Sequence, residues 1–195
     1  MLSVEVKEYT LSQYNQKEIL RYCGIKSADE GFSAILQACQ EEANEVVSAR
    51  VCYALLPVRV ENTICDFGVF FLSSKHLAKA LQGCKRAVIF VATVGVAMDR
   101  LIAKYGKISP VKALCMQAIG SERAEAVADE FCKELKEQFT DTRPRFSPGY
   151  GDLSLETQGK IFDLLNPAKN IGVSLTDNLL MTPSKSISAF VGIVE

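Results

Sequence analysis

Residues 87–92, Ala-Val-Ile-Phe-Val-Ala, place six apolar side chains in a row with no polar interruption. A strand with one wet face alternates. An unbroken run rich in β-branched and aromatic residues predicts a central strand with both faces covered. Downstream, Ser109 and Pro110 set an N-cap ahead of a proline at the first helical position, and no further proline occurs before residue 139. This predicts one long helix from Pro110 to about Phe139. Ala113, Ala118, Gly120, Ala124, Ala126 and Ala128 keep its middle slim, a composition that favours close packing against another element over a binding cleft.

Upstream, Leu2, Val4 and Val6 alternate with polar residues and predict a first strand with one buried face. Asn15 and Glu18 have capping-box spacing and open a short helix that Gly24 stops; Ser27 and Glu30 repeat the spacing before a helix carrying Phe32, Ile35, Leu36 and Cys39 on one face. The runs VCYALLPVRV (51–60) and DFGVFFL (66–72) flank the polar turn Glu61-Asn62-Thr63 and predict an antiparallel hairpin, with Pro57 assigning its first strand to a sheet edge. A short helix is predicted from Ser74 through Leu81. A further helix is predicted from about Leu155 to Leu165, ended by Asn166-Pro167, and the last strand is SISAFVGIV (186–194). With no internal repeat or linker, the order of elements predicts one α+β domain over residues 1–195, a mainly antiparallel β-sheet packed with helices.

The chain has 195 residues, 48% of them apolar, enough for a core without metal or disulfide staples. Twenty-two basic against 23 acidic side chains give a net charge of -1, so no global field favours nucleic acid or an anionic membrane. The seven cysteines (Cys23, Cys39, Cys52, Cys65, Cys84, Cys115, Cys132) are scattered, with no Cys-x-x-Cys pair, and His76 is the only histidine. Spacing therefore gives no zinc set, and the cysteines read as buried free thiols of a reducing cytoplasm. The N-terminus carries charges inside its apolar stretch, unlike a signal peptide, and the longest apolar run is too short to span a bilayer. A soluble, cytoplasmic protein is expected.

No nucleophilic triad can be assembled around a lone histidine that falls on the solvated face of the helix in SSKHLAKAL. The stretch ATVGVA (92–97) ends a strand and opens a helix but lacks the glycine spacing of a dinucleotide cradle. Two features remain. Glu122, Glu125 and Asp129 follow three-and-four spacing along one side of the long helix, where pattern alone predicts a solvated face. The loop RPRFSPGYGD (143–152) combines arginines able to clamp a carboxylate with prolines and glycines that fix its backbone. Together, an arginine loop and an acidic helix suit a zwitterionic ligand.

Arg145-Phe-Ser-Pro-Gly-Tyr150 resembles the Arg-x-x-Pro-Gly-Tyr signature of the activation (reactivation) domain of cobalamin-dependent methionine synthase. The resemblance continues in order through Asp163-Leu-Leu, Lys169, Gly172, Leu175-Thr176, Met181, Pro183 and Ser186-Ile-Ser188. Upstream it takes in Ala92-Thr-Val-Gly95, Asp99, Val111-Lys-Ala and Arg123-Ala-Glu-Ala126, so that it covers roughly Ala87 to Phe190. It implies an S-adenosylmethionine site in which Arg145 and the Ser147 backbone hold the amino-acid end, with Tyr150 and Glu125 in the same pocket. It also implies service to reductive remethylation of cob(II)alamin, by presenting the methyl donor rather than by side-chain acid–base catalysis. The cobalamin would be carried by a methionine synthase lacking its own activation domain, and the electron would come from a flavodoxin-like or other one-electron reductant. The chain thus resembles a stand-alone activation subunit acting in trans. Residues 1–60 lack the family's N-terminal aspartate motif, and no tyrosine-bearing segment follows the final strand. The same pocket serving another corrinoid methyltransferase, or an interaction domain that has lost the ligand, stay open as alternatives.

Overall fold

The computed structural model describes residues 3–194. In chain order its elements begin with β1 (Glu5–Tyr9), α1 (Gln16–Cys23), α2 (Glu30–Asn44), β2 (Ala49–Pro57), β3 (Arg59–Glu61), β4 (Ile64–Asp66), β5 (Phe71–Ser73), α3 (Lys75–Ala80) and β6 (Arg86–Thr93). They continue with α4 (Val96–Ile108), α5 (Pro110–Gln138), β7 (Asp141–Thr142), α6 (Thr157–Leu165), α7 (Pro167–Ile171), β8 (Ser174–Leu175), β9 (Met181–Thr182) and β10 (Ser186–Val194).

The main sheet runs β1-β2-β6-β10-β7 and is antiparallel at every junction. The stretch 87–92 lies in β6, at its centre. Val88, Phe90 and Ala92 face one way, joined by Val51 and Tyr53 of β2 and Val191 of β10, and pack on Met116, Ile119, Val127 and Phe131 of α5. Ala87, Ile89 and Val91 face the other way and pack with Phe67, Leu77 of α3, and Ile161 and Leu165 of α6. Both faces are covered, which is why the strand reads as continuous rather than alternating.

Several expectations are corrected. β2 is not an edge strand, because β1 lies outside it; Pro57 is its exposed last residue, where the chain leaves the sheet. Nor do 51–60 and 66–72 form one hairpin. Pro57 ends the first run, Phe67–Phe70 interrupt the second, and β3, β4 and β5 make a separate three-stranded sheet whose first turn holds Asn62 at φ 54°. The first strand begins at Glu5, with Leu2 outside the described residues, and its face toward α5 carries Lys7 and Tyr9, which bond Glu134, while Val6 is exposed. Asp29 caps α2 in place of Ser27, its side chain accepting from the Phe32 amide at 2.7 Å. α6 starts at Thr157, two residues after the predicted Leu155. Asn166-Pro167 both ends α6 and opens α7, a helix absent from the sequence reading.

The slim middle of α5 is explained mainly by packing. A Cβ on Gly120 would lie 3.0 Å from side-chain atoms of both Met98 and Lys185, so any side chain there would press on α4 and on the approach to β10, and one of those neighbours would have to shift. All seven cysteines are free; Cys132 is half-buried and the other six are buried. Burial pushes the Cys52 and Cys115 thiols up to about 12, so neither is a reactive thiolate. No helix among the described residues is long and apolar enough to cross a membrane.

Phe131 joins α5 to the sheet, its ring centroid 4.9 Å from that of Tyr53 and 5.0 Å from that of Phe90. Phe131→Ala is expected to cost about 3–5 kcal/mol in chemical denaturation, the usual range for an emptied aromatic core site. A loss below about 1 kcal/mol would mean that the helix–sheet seam is held elsewhere.

Candidate functional site

The 143–152 loop is held at both ends. At its start the Arg143 amide donates to the Gly192 carbonyl at 2.8 Å, and Phe146 and Phe190 exchange backbone hydrogen bonds of 2.8 and 2.9 Å, so the loop continues the sheet beside β10. At its end Asp152 accepts from the Ser74 hydroxyl at 2.5 Å and from the Lys75 and His76 amides at 2.7 and 3.1 Å, while His76 Nδ1 lies 3.0 Å away. The Ser74 hydroxyl and these amides hold the Asp152 carboxyl far below the usual carboxylate range. Between the anchors Gly149 and Gly151 take φ of +86° and +58°, and a Cβ on Gly151 would fall 2.7 Å from His76 Nδ1. Only glycine suits that turn.

Arg145 therefore leaves the loop from a fixed backbone. Its Nη1 donates to Asp129 Oδ1 at 2.6 Å and its Nη2 to Glu125 Oε2. The two acids stand one turn apart on α5, and the sequence spacing that groups them is i, i+4. Burial works against the charge on Arg145, yet the Asp129 and Glu125 carboxylates more than offset it and hold the guanidinium above its ordinary pKa.

Glu125, Arg145, Ser147 and Tyr150 all line one cleft of about 330 Å³, together with Phe146, Pro148, Gln158, Met181, Ser186, Ile187 and Ser188. That volume lies at the low end of small-ligand clefts. The fold brings all four sequence-nominated residues together from two elements 20 residues apart, with the Tyr150 side chain largely exposed at the mouth. Glu125 also borders a larger, acidic cleft of about 610 Å³ that includes Tyr14, Glu18, Glu122, Asp129 and Glu130. The two depressions meet along this one side chain. Arg143 points elsewhere, into a separate depression with His76 and Lys79. His76 itself is on an exposed helix face, as its pattern predicts, but its ring serves Asp152.

Glu122 departs from the solvated face predicted for it. Its carboxylate is 5% exposed and pairs with the Arg123 guanidinium, 1% exposed, at 2.6 Å. Both reach the segment before α1, since the Asn15 amide donates to Glu122 Oε1 at 2.9 Å and Arg123 Nη2 donates to the Gln13 carbonyl. The Arg123 guanidinium also lies 4.0 Å from the Tyr14 ring centroid. No spacing rule marks these residues as buried; apart from each other, their partners lie about a hundred positions away in the segment before α1.

Asp99 and Lys185 complete the frame. Asp99 accepts from the Ser184 amide and hydroxyl, both at 2.7 Å, and Lys185 donates to the Ser121 hydroxyl at 2.9 Å, fixing the entry to β10. Burial pulls the Lys185 amine below its ordinary pKa.

The geometry defines a mixed α/β fold with a half-open cleft between a pinned loop and a long helix. Residues 74–194 match the family model described as the vitamin B12 dependent methionine synthase activation domain, and the chain belongs to that family. Among solved structures it is similar to the crystal structure of the MetH reactivation domain bound to AdoHcy. That similarity has a TM-score of 0.74 and 15% sequence identity, over 98% of this chain and 78% of that one. No curated protein sequence matches it.

Two variants separate the Asp152 anchor from the buried Glu122–Arg123 pair. Glu122→Ala is expected to destabilise the fold by about 3–5 kcal/mol, because it strands the Arg123 charge in the core; a loss near zero would return Glu122 to the surface. For Asp152, a carboxyl depressed in the folded state adds stability that is complete above its unfolded pKa and lost as pH falls toward the folded one. The gap in thermal midpoint between wild type and Asp152→Asn is therefore expected to be full at neutral pH and to shrink below about pH 4. A gap independent of pH would count against the Asp152 anchor.

Proposed function

We propose that the 195 residues act as one activation domain whose cleft binds S-adenosylmethionine and presents it to the cobalamin of a methionine synthase lacking this domain. The observation that carries the reading is the Arg145 fork facing Glu125 at the cleft wall. S-adenosylmethionine offers a carboxylate for a guanidinium, and an ammonium and a sulfonium for a carboxylate. A chain with this charge pair on a fixed loop and a helix fits that ligand. The similar reactivation domain is described as bound to AdoHcy, the demethylated form of the same molecule.

The chemistry comes from the methyl donor, the partner's cobalamin as methyl acceptor, and a flavodoxin-like or other one-electron reductant. The chain's own residues bind and orient. Arg145 takes the ligand carboxylate and the Ser147 backbone lies beside it in the cleft. Glu125, released from part of its pairing, takes the ammonium or sulfonium, and Tyr150 lends a ring face at the mouth. No proton transfer by a side chain is required. The cytoplasm is the setting that fits seven free thiols.

Isothermal titration of the purified chain with S-adenosylmethionine tests the reading. Arg145→Ala is expected to weaken binding by about 1.5–3 kcal/mol, roughly tenfold to a hundredfold. Arg143→Ala, altering the depression on the other side of the loop, is expected to bind as wild type, and Glu125→Gln to bind more weakly. Absence of binding by the wild-type chain would leave an interaction domain that has lost the ligand. A larger effect of Arg143 than of Arg145 would mean that the wrong arginine has been assigned.

A further inference from the structure

The buried face of α6 is formed by Thr157, Gln158, Ile161 and Leu165. Positions 158, 161 and 165 follow the three-and-four spacing of an apolar stripe, and Ile161 and Leu165 are fully buried. Gln158 occupies the first place in that stripe, where leucine or isoleucine would continue the core. It is 5% exposed, and its Oε1 is shielded from water without a hydrogen-bond partner. Such an atom carries the desolvation cost of a buried acceptor with nothing to offset it. The same side chain borders the cleft that holds Arg145, Ser147 and Tyr150. A local rule is thus broken beside a binding site, which is where such breaches concentrate.

We propose that Gln158 is a specificity residue that accepts a hydrogen bond from the nucleoside end of the ligand. The inference rests on the S-adenosylmethionine reading of the cleft. Arg145 and Glu125, where the loop meets α5, take the amino-acid end. The remaining walls come from α6, β9 and β10 and meet the other end, whose adenine amine and ribose hydroxyls are the available donors. Closing that hydrogen bond removes the deficit at Oε1, so binding gains what folding gives up at this position.

The test compares two ligands, S-adenosylmethionine and 5′-methylthioadenosine, which keeps the nucleoside and lacks the amino-acid end. Gln158→Leu, with Gln158→Met as a second variant of closer shape, is expected to lower affinity for both ligands by the same factor, about threefold to tenfold. Its thermal midpoint is expected to equal or exceed that of wild type, because an unsatisfied amide gives way to an apolar group in an apolar stripe. Arg145→Ala is expected to lower affinity for S-adenosylmethionine alone. Binding by wild type that both Gln158 variants leave intact overturns the inference, as does a loss confined to S-adenosylmethionine. A clear drop in thermal midpoint for both variants makes the amide structural. If wild type binds neither ligand, the functional reading itself fails.

Discussion

Arg145 is held by two carboxylates on one helix, and the firmness of that hold decides what the cleft can do. The guanidinium side chain is 25% exposed, Glu125 44% and Asp129 71%, so water screens both pairs. Pairs of this exposure are worth on the order of 0.2–1 kcal/mol each, enough to orient the fork and little enough to be exchanged for a ligand carboxylate. Three positions before Glu125 on the same helix, Glu122 meets Arg123 almost without solvent. There the partners cannot leave without stranding a charge. The same two residue types give an exchangeable pair and a fixed one, and burial alone divides them.

An exchangeable arginine is useful only if its backbone does not move with it. Both anchors of the 143–152 loop use hydrogen bonds to main-chain atoms, the first to β10 and the second, through Asp152, to the start of α3. β10 pairs with β6, the most protected strand of the sheet. The position of the guanidinium is thus referred back, through two ladders, to the strand whose unbroken apolar run fixes the fold. Sites built on such supports keep their geometry when a ligand replaces a side chain.

Much of this was legible in the chain because it is local. The apolar run at 87–92, the Ser109-Pro110 cap and the glycine-rich turn act through nearest neighbours, and spacing rules describe them well. Pro57 misled because proline excludes itself from the middle of a ladder and not from its last position, a distinction that only the pairing partner reveals. Glu122 misled for a related reason. Its helical spacing matches that of the acids on the wet face, but the segment that covers it comes from residues 13–15, and no pattern within the helix encodes that arrival. Gln158 sat in plain view at a core position of an amphipathic helix. The pattern was readable, though its meaning required knowing that the amide oxygen has no partner and that a cleft lies beside it.

The Glu122–Arg123 pair also ties the N-terminal segment to the long helix. At the contact where the N-terminal segment crosses α5, Glu122 and Arg123 grip the Asn15 amide and the Gln13 carbonyl, and the Arg123 guanidinium also lies over the Tyr14 ring. Main-chain groups are present whatever side chains the segment carries. The hydrogen-bonded part of this contact therefore depends on the path of the 13–15 backbone and on the buried Glu122–Arg123 pair, while the Tyr14 ring adds a side-chain contact of its own.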